Sequence, residues 1–472
     1  MRKMMIMLLG FVLLVSLAAC RSGGSGSGGT APGQGSAVSD TGTAAADTGT
    51  TAPGQGKDAD APGKDSPPAK GGKTTITFST FWPDARFQEA KKKYEALHPD
   101  VEIKLTDLPT DNANVEADLE KYATTMNTAM LAGKGPDLLE MKELPVASYV
   151  QQKLLVDLDT MMDQDSAFKK EDYFSNILDN AKIGGGLYGL PLSFFLYGFA
   201  GDMDAIAQAG VQIDDKSWTW SDFAKATKKL AEDGPYKNVL NSTPEYLLAQ
   251  MVSDNYSQFV DAASRKANFD SPSFIGLMQQ VKGMGDDGII GEGRPYFYPI
   301  QINSPGDYMT SLKGFLAKNM KLLIMPHPEE VAAGGYFMNY LTIGLNAKSQ
   351  VKEQAWDFLK FMMSDQITTP PNTAGFPINK KAFAAELAQL KDDGSVPTVK
   401  EGPLKGVPVK VDNGKLDQLQ SFLEGAIHPA LFRSDQVAQF VTDESKAFFS
   451  GQKSAEDVAR LIQNKVTTYL NE

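Results

Sequence analysis

Strand-like and helix-like segments alternate at the start of the part of the chain that can build a core, and this pattern limits the fold most. Residues 75–79 alternate apolar and polar side chains as a strand does, and apolar residues at helical spacing follow over residues 87–97. Residues 101–105 alternate again, residues 119–130 repeat the helical spacing, and residues 137–141 are a short apolar strand. This order predicts right-handed crossovers and a parallel sheet covered on both faces.

Polar and aromatic residues follow two of these predicted strands. Trp82 and Asp84 come after the first strand, and Glu140 and Lys142 come at the end of the third. Sheets of this kind bind ligands beyond the carboxyl ends of their strands, where the strand order reverses. We therefore expect these four residues at a binding site, and we expect the carboxylate of Glu140 to have a partner because it ends a buried strand.

The first twenty residues have the pattern of a secretion signal. Arg2 and Lys3 precede an apolar run that is too short to span a membrane, which predicts a signal peptide over residues 1–19. Leu17-Ala18-Ala19-Cys20 resembles the lipobox of bacterial lipoproteins. The resemblance implies a diacylglycerol on the Cys20 thiol, which would hold the protein to a membrane without a spanning helix. An ordinary cleaved signal that contains a cysteine is the alternative.

Residues 20–72 are predicted to be the lipidated cysteine and a disordered tether. From residue 21 onward the segment is almost entirely Gly, Ala, Ser, Thr and Pro, and Val38 is its only large apolar residue. Such a composition cannot bury enough surface to offset the loss of chain entropy on folding. The folded body is therefore expected to begin near Lys73.

Composition excludes several classes of function. The 46 Lys and Arg against 58 Asp and Glu give a net charge of −12, which argues against nucleic acid as a partner. One cysteine excludes a disulfide within the chain and zinc sites built from several thiolates. With three histidines and without Gly-x-Ser-x-Gly or His-Glu-x-x-His, the sequence predicts no catalytic residues, no metal site and no cofactor. A carboxylate pair, as in a lipid-anchored carbohydrate hydrolase, is the enzyme alternative.

A succession of short motifs resembles one known family. Each motif is weak alone, but their order and spacing extend over most of the body. They resemble the bacterial extracellular solute-binding proteins of family one, the maltose-binding-protein-like group. The motifs lie at residues 76–82, 132–137, 155–158, 186–191, 217–223, 343–349 and 355–361.

The resemblance implies an α/β, two-lobed fold like that of periplasmic binding proteins. Each lobe would be a mainly parallel sheet flanked by helices, and a hinge would join the lobes. The first lobe would comprise residues 73–192 and 342–391, and the second lobe residues 193–341 and 392–472. The chain would cross near Leu192 and Tyr340, and again at the turn-like residues 391–394.

The resemblance also implies a function. Two lobes would close on a small solute, a sugar or oligosaccharide, and the protein would deliver it to the permease of an ABC importer. The protein would be a monomer on the extracytoplasmic face of a bacterial cell membrane, anchored through Cys20. A sensory lipoprotein that reports ligand state to a receptor is the alternative partner role, and polyamines and phosphorylated sugars are the alternative ligands.

Aromatic and planar polar residues are the candidate ligand contacts, because sugars present flat C–H faces and hydroxyl groups. Departures from the family's motifs after residue 191 and between residues 281 and 328, where no tryptophan occurs, indicate a ligand that differs from the commonest ones. Trp218 and Trp220 flank Thr219, a good N-cap, and are expected to be packing residues. The candidates are Trp82, Asp84, Glu140, Lys142, Phe376 and Asn379 on the first lobe, Phe195 and Tyr197 at the crossing, and Tyr246, Tyr296, Tyr298, Phe432 and Arg433 on the second.

Overall fold

The computed structural model describes most of the predicted body. The described residues are 73–108, 114–142, 144–261, 264–313, 319–329, 331–367, 375–398, 405–430 and 436–471. By its contacts the chain divides into Met1–Pro68 and Ala69–Glu472, and all the described residues belong to the second unit. The predicted signal peptide, the Cys20 lipid site and the predicted tether lie outside the described residues.

Fifteen strands and sixteen helices lie in the part of the chain that the structure describes. The strands are β1 (Thr74–Thr80), β2 (Val101–Asp107), β3 (Leu138–Glu140), β4 (Leu190–Asp202), β5 (Leu240–Asn241), β6 (Val260–Asp261), β7 (Lys266–Ala267), β8 (Ile290–Gly291), β9 (Phe297–Ile302), β10 (Met320–Leu323), β11 (Gly335–Leu345), β12 (Phe376–Pro377), β13 (Ser395–Pro397), β14 (Pro408–Lys410) and β15 (Ala426–Pro429). The helices are α1 (Ala85–Leu97), α2 (Val115–Leu131), α3 (Val146–Gln151), α4 (Leu158–Gln164), α5 (Ser175–Asn180), α6 (Met203–Gln208), α7 (Trp220–Asp233), α8 (Pro244–Asp254), α9 (Tyr256–Phe259), α10 (Pro272–Asp286), α11 (Pro305–Ser311), α12 (Lys352–Met362), α13 (Lys380–Asp393), α14 (Asn413–Glu424), α15 (Gln436–Phe449) and α16 (Ala455–Asn471). A short 3-10 helix spans Lys170–Asp172.

The predicted strand–helix–strand–helix–strand start is confirmed. Strand β1 pairs in parallel with β2 on one side, with Ile76 opposite Ile103, and with β3 on the other, with Phe78 opposite Leu138. Helix α1 begins where the Asp84 side chain accepts a hydrogen bond from the backbone N–H of Arg86, as an N-cap does. The β1 and β3 ends therefore lie side by side at one edge.

The large sheet is mixed rather than mainly parallel. Its nine strands include the path β10-β4-β11-β3-β1-β2, with β9 and β12 also on β4 and β15 on β11. Strand β11 is antiparallel to both β3 and β4, and β4 is antiparallel to β9, β10 and β12. The predicted mainly parallel sheets therefore need correction beyond the first three strands. The reason is that the long strands β4 and β11 run through the sheet in opposite directions.

Strands β4 and β11 connect two large hydrophobic cores. The first core contains Ile76, Phe78, Phe87, Leu190, Ile343 and Phe358, and the second contains Phe199, Phe223, Phe274, Tyr336 and Val437. Both crossings predicted from the sequence, near Leu192 and Tyr340, lie on this pair of strands, where Tyr340 is opposite Ser193. Leu341 has φ +49°, a left-handed conformation that a leucine rarely adopts, in the middle of β11.

The third crossing, predicted at residues 391–394, does not coincide with the point at which the chain passes from the first core to the second. Helix α13 ends at Asp393 and Gly394 follows with φ +65°, so the predicted turn is confirmed. The elements that follow still share the first core, through Val396, Leu416 and Ala426. The change to the second core comes between Ala426 and Val437, and the predicted lobe boundary at residue 392 does not coincide with it.

A third, smaller core covers the other face of β1 and β3. It contains Phe81, Tyr122, Met126, Tyr149 and Leu155. Phe81 is the first residue after β1, so this core reaches the strand ends at which the sequence predicts a site.

Candidate functional site

An ion pair is built into the start of α1. The Asp84 carboxylate accepts hydrogen bonds from Arg86 Nε at 3.1 Å and Arg86 Nη2 at 2.8 Å, in addition to the backbone N–H of Arg86 at 2.8 Å. Arg86 is buried, whereas the Asp84 side chain is 20% exposed. The two-point contact fixes both side chains at the end of β1, because a guanidinium and a carboxylate match in two parallel bonds.

The carboxylate of Glu140 is buried at the end of β3 and has a partner, as the sequence predicts. Its Oε2 accepts a hydrogen bond from the backbone N–H of Phe81 at 3.0 Å. This bond ties the loop after β1 to the end of β3. It holds the Glu140 carboxylate against the loop that leads from β1 to Asp84 and Arg86.

The ring of Tyr340 lies at the centre of these groups. Its centroid is 4.8 Å from that of Phe195, 5.8 Å from Arg86 Cζ and 5.9 Å from Lys142 Nζ. Burial raises the pKa of the phenol, and the charges of Asp84 and Glu140 raise it further while Arg86 opposes them. We refer to Asp84, Arg86, Glu140, Lys142, Phe195 and Tyr340 as the Tyr340 cluster.

Trp82 presents an aromatic surface next to this cluster. The tryptophan is 36% exposed, and its ring packs edge-on against Phe81 with 4.6 Å between centroids. Phe81 in turn packs edge-on against Tyr122 at 5.6 Å within the third core. The buried rings of Phe81 and Tyr122 therefore hold the Trp82 ring in place, and part of the Trp82 ring remains exposed to a ligand.

Tyrosines and a buried aspartate lie near β4 and β11 on the side of the second core. Tyr197 and Tyr336 are opposite each other in the ladder, and Tyr246, at the start of α8, is 60% exposed. Burial raises the pKa of Tyr197 far above its ordinary value, with contributions from the charge of Asp254 and from Tyr246. Asp254 is 3% exposed, and burial raises the pKa of its carboxyl to about 7 although Gln250 Nε2 donates a hydrogen bond to it at 2.8 Å.

A comparison with protein families matches residues 82–369 to the model of the bacterial extracellular solute-binding proteins. The matched segment starts at Trp82 and covers more than half of the chain. The chain belongs to this family. The match confirms the resemblance that the sequence motifs indicate.

Several solved structures have a similar fold. An extracellular solute-binding protein of family 1 from Alicyclobacillus acidocaldarius has a TM-score of 0.56 at 17% identity, and the alignment covers 86% of this chain and 100% of that one. The sugar-binding protein MalE from Xanthomonas citri has a TM-score of 0.57 at 16% identity, and the alignment covers 84% of this chain and 98% of that one. A periplasmic oligogalacturonide-binding protein from Yersinia enterocolitica has a TM-score of 0.58 at 17% identity, and the alignment covers 84% of this chain and 99% of that one. The predicted α/β, two-lobed architecture is thereby confirmed.

Several predicted ligand contacts of this family member are core or capping residues instead. Tyr296 is fully buried, and its hydroxyl donates to the carbonyl of Leu230 at 2.9 Å and accepts from the N–H of Tyr236 at 3.1 Å. Phe376 is also fully buried, against Phe194. The structure corrects both predictions, since neither ring has surface to offer.

Asn379 has a structural role in the described residues. It is the N-cap of α13, and its side-chain oxygen accepts from the N–H groups of Lys381 and Ala382 at 2.9 and 3.1 Å. The prediction that Asn379 contacts the ligand is therefore corrected for its side-chain oxygen, because this oxygen caps the start of α13. Tyr298 is half-buried on β9, opposite Ala200 and packed against the first core, and is not part of the Tyr340 cluster. Phe432 and Arg433 lie outside the described residues.

The sequence analysis missed Arg86 and Asp254 and used Tyr340 only to place a crossing. Arg86 had a usable signal, because a basic residue two positions after an N-cap aspartate can fold back onto it. Tyr340 and Asp254 had none, since their surroundings come from distant parts of the chain. Among the described residues there is no group of three or more His, Cys, Asp and Glu side chains that could hold a metal ion. The same residues contain no helix long and apolar enough to cross a membrane.

Proposed function

We propose that this family member captures a sugar or oligosaccharide between its two lobes and delivers it to the permease of an ABC importer. The observation that carries the proposal is the exposed ring of Trp82 beside the hydrogen-bonded charges of the Tyr340 cluster. A flat aromatic surface suits the C–H face of a sugar ring, and planar polar groups suit its hydroxyls. Two structurally similar proteins, from Xanthomonas citri and Yersinia enterocolitica, are described as binding a sugar and an oligogalacturonide.

The route of the chain supports closure around the ligand. Strands β4 and β11 are shared by the first and second cores, so a ligand that contacts both sides can draw them together by bending these two strands. Trp82 and the Tyr340 cluster supply one side. Tyr197 and Tyr246 supply candidate contacts on the other side.

The proposed location is the extracytoplasmic face of the cell membrane, with the lipid on Cys20 as the anchor. The support is the sequence from Leu17 to Cys20 and the composition of residues 21–72. We expect Cys20→Ser to move the protein from the membrane fraction into the soluble fraction. Unchanged fractionation would contradict the anchor and leave the binding proposal intact.

Binding is tested by calorimetric titration of the full chain with a panel of neutral and acidic tri- and tetrasaccharides. We expect at least one of them to bind with a dissociation constant in the micromolar range or below and to raise the unfolding midpoint. A ligand that binds the native state alone stabilises it by about 2.7 kcal/mol at a hundredfold excess over its dissociation constant. Absence of binding across the panel would contradict the proposed ligand class.

A further inference from the structure

Tyr340 occupies a position that touches both sides of the molecule. Its side chain packs against the first core and against the second core, from the strand that connects them. It is opposite Ser193 on β4 and is followed by Leu341 in its left-handed conformation. A ligand that contacts both lobes can therefore meet this ring, because Tyr340 packs against both cores.

The hydroxyl of Tyr340 has no hydrogen-bond partner among the described residues, in contrast to those of Tyr236, Tyr296 and Tyr336. Tyr296 donates to the carbonyl of Leu230, Tyr236 donates to the carboxylate of Asp202, and Tyr336 donates to Asn255 and to the carbonyl of Pro326. The hydroxyl of Tyr149 is enclosed without a partner, whereas that of Tyr340 is not among the enclosed polar atoms. The phenol oxygen of Tyr340 is therefore accessible and can bond to a ligand.

The charged groups around the ring are already paired within the protein. Arg86 and Lys142 approach it at 5.8 and 5.9 Å, and the carboxylates of Asp84 and Glu140 are the anions that act on its phenol. Asp84 is held by Arg86, and Glu140 accepts the N–H of Phe81. Glu386 also lies within electrostatic reach of Arg86, and burial raises the pKa of its carboxyl to about 7.

A site whose charges are already paired disfavours a charged ligand. A carboxylate or an ammonium group would lose its hydration on entering, and the charges of opposite sign in the cluster already have partners within the protein. A hydroxyl group has no such penalty, because it can donate to a carboxylate and accept from the phenol. The same burial and carboxylates that raise the pKa of Tyr340 keep its proton in place, so the phenol is a donor throughout the physiological range.

We propose that Tyr340 is a ligand-contacting residue whose hydroxyl selects an uncharged, hydroxyl-bearing ligand over an acidic or a cationic one. This inference rests on the proposed function and narrows its ligand class. It assigns the selection between uncharged and charged ligands to the phenol oxygen of Tyr340, which has no hydrogen-bond partner among the described residues.

The experiment compares three kinds of probe by calorimetry at pH 7.5 on the full chain. They are a panel of neutral oligosaccharides that includes maltotriose, cellotriose and raffinose, an acidic one, trigalacturonate, and a cation, spermidine. The wild type is expected to bind a neutral probe most tightly. In Tyr340→Phe the affinity for that probe is expected to fall about tenfold, which corresponds to ~1.4 kcal/mol, because one hydrogen bond to the ligand is lost.

Two controls separate contact from packing. Tyr340→Phe keeps the ring, so its unfolding midpoint without ligand is expected to equal that of the wild type. Tyr308→Phe removes a hydroxyl from α11, outside the cluster, and is expected to leave affinity unchanged. An intact affinity in Tyr340→Phe, with a neutral probe bound by the wild type, would overturn the inference while the proposed function stands.

The remaining outcomes are also decisive. Tighter binding of trigalacturonate or spermidine than of every neutral probe would overturn the selection for uncharged ligands. Failure of the wild type to bind any probe would contradict the proposed function itself. A loss of affinity in Tyr340→Phe that is matched by Tyr308→Phe would show that the effect is structural, and would also overturn the inference.

Discussion

The carboxylates of the Tyr340 cluster and the carboxylate at the second core have different partners. Asp84 accepts three hydrogen bonds from Arg86, and Glu140 accepts a backbone N–H. Asp254 has a neutral amide on one oxygen, and its other oxygen is enclosed without a partner in the described residues. The contrast teaches that one amide N–H does not offset the burial that raises the pKa of the Asp254 carboxyl, whereas the carboxylates of the cluster have a guanidinium and a backbone N–H as partners.

The largest effect is expected at Asp254. Burial raises the pKa of this carboxyl from its ordinary value near 3.8 to about 7, so the folded state binds a proton that the unfolded state has released. Wild-type stability should therefore fall as the pH rises from about 4 to about 7. Asp254→Asn removes this loss and should be more stable than the wild type at pH 8, by on the order of 2–4 kcal/mol, and equal to it near pH 4.

Urea unfolding of both proteins from pH 4 to pH 8 provides the measurement. The difference between the variant and the wild type isolates Asp254 from Glu386, whose carboxyl pKa is also raised to about 7 by burial. Tyr197 and Tyr336 face Asp254, but burial raises the pKa of both phenols, so neither titrates in this window. If the free energy of unfolding had the same pH dependence in the wild type and in Asp254→Asn, the contrast between the two carboxylate environments would be contradicted. Asp254 would then be ionised in the folded state over the whole pH range.

A smaller loss is expected when the Asp84 carboxylate loses its cation. Arg86→Met keeps a long apolar side chain and leaves Asp84 without the two guanidinium bonds. We expect the free energy of unfolding to fall by about 2–3 kcal/mol at pH 7, somewhat less than for a fully buried pair because Asp84 is partly exposed. Arg86→Lys should lose less, since it keeps the charge but not the planar fork.

The same urea titrations measure this pair of variants. A loss below about 0.5 kcal/mol for Arg86→Met would place the ion pair with surface pairs, which contribute little. It would then not be the fixed support of the Tyr340 cluster.

The smallest effect is expected on binding, at Trp82. Trp82→Ala should weaken binding of a neutral oligosaccharide by about 1–3 kcal/mol if its ring covers a sugar face. The unfolding midpoint without ligand should change little, because the ring is partly exposed. Trp220→Ala is the contrasting variant, since Trp220 is buried in the second core and its loss should lower stability. A Trp82→Ala protein with reduced stability and full affinity would show that Trp82 is a packing residue.

Local patterns were sufficient to predict the parts of the fold that depend on neighbouring residues. The alternation at residues 75–79 and 101–105 predicted strands that the structure pairs in parallel. Thr219 was predicted as an N-cap, and it forms a capping box with Asp222 while Trp218 and Trp220 are buried. Near-neighbour periodicity and capping are properties of short segments, so a single sequence carries them.

The composition of the site depends on contacts between distant segments. Tyr296 is a candidate ligand contact by residue type, but its hydroxyl donates to the carbonyl of Leu230 in α7. The groups around the Tyr340 ring include Arg86, which follows β1, and Lys142, which follows β3. No local pattern in the sequence links these segments to β11. Aromatic side chains of a core and of a cleft are the same residue types, and only the tertiary packing separates them.

Small-angle scattering with and without ligand tests the central claim most directly. The protein, titrated with the neutral oligosaccharide that it binds most tightly, should show a radius of gyration that falls over the same concentrations at which calorimetry records binding. The fall is expected because β4 and β11 link two cores that a ligand contacting both would draw together. Tight binding with an unchanged scattering profile would contradict capture by closure of the two lobes.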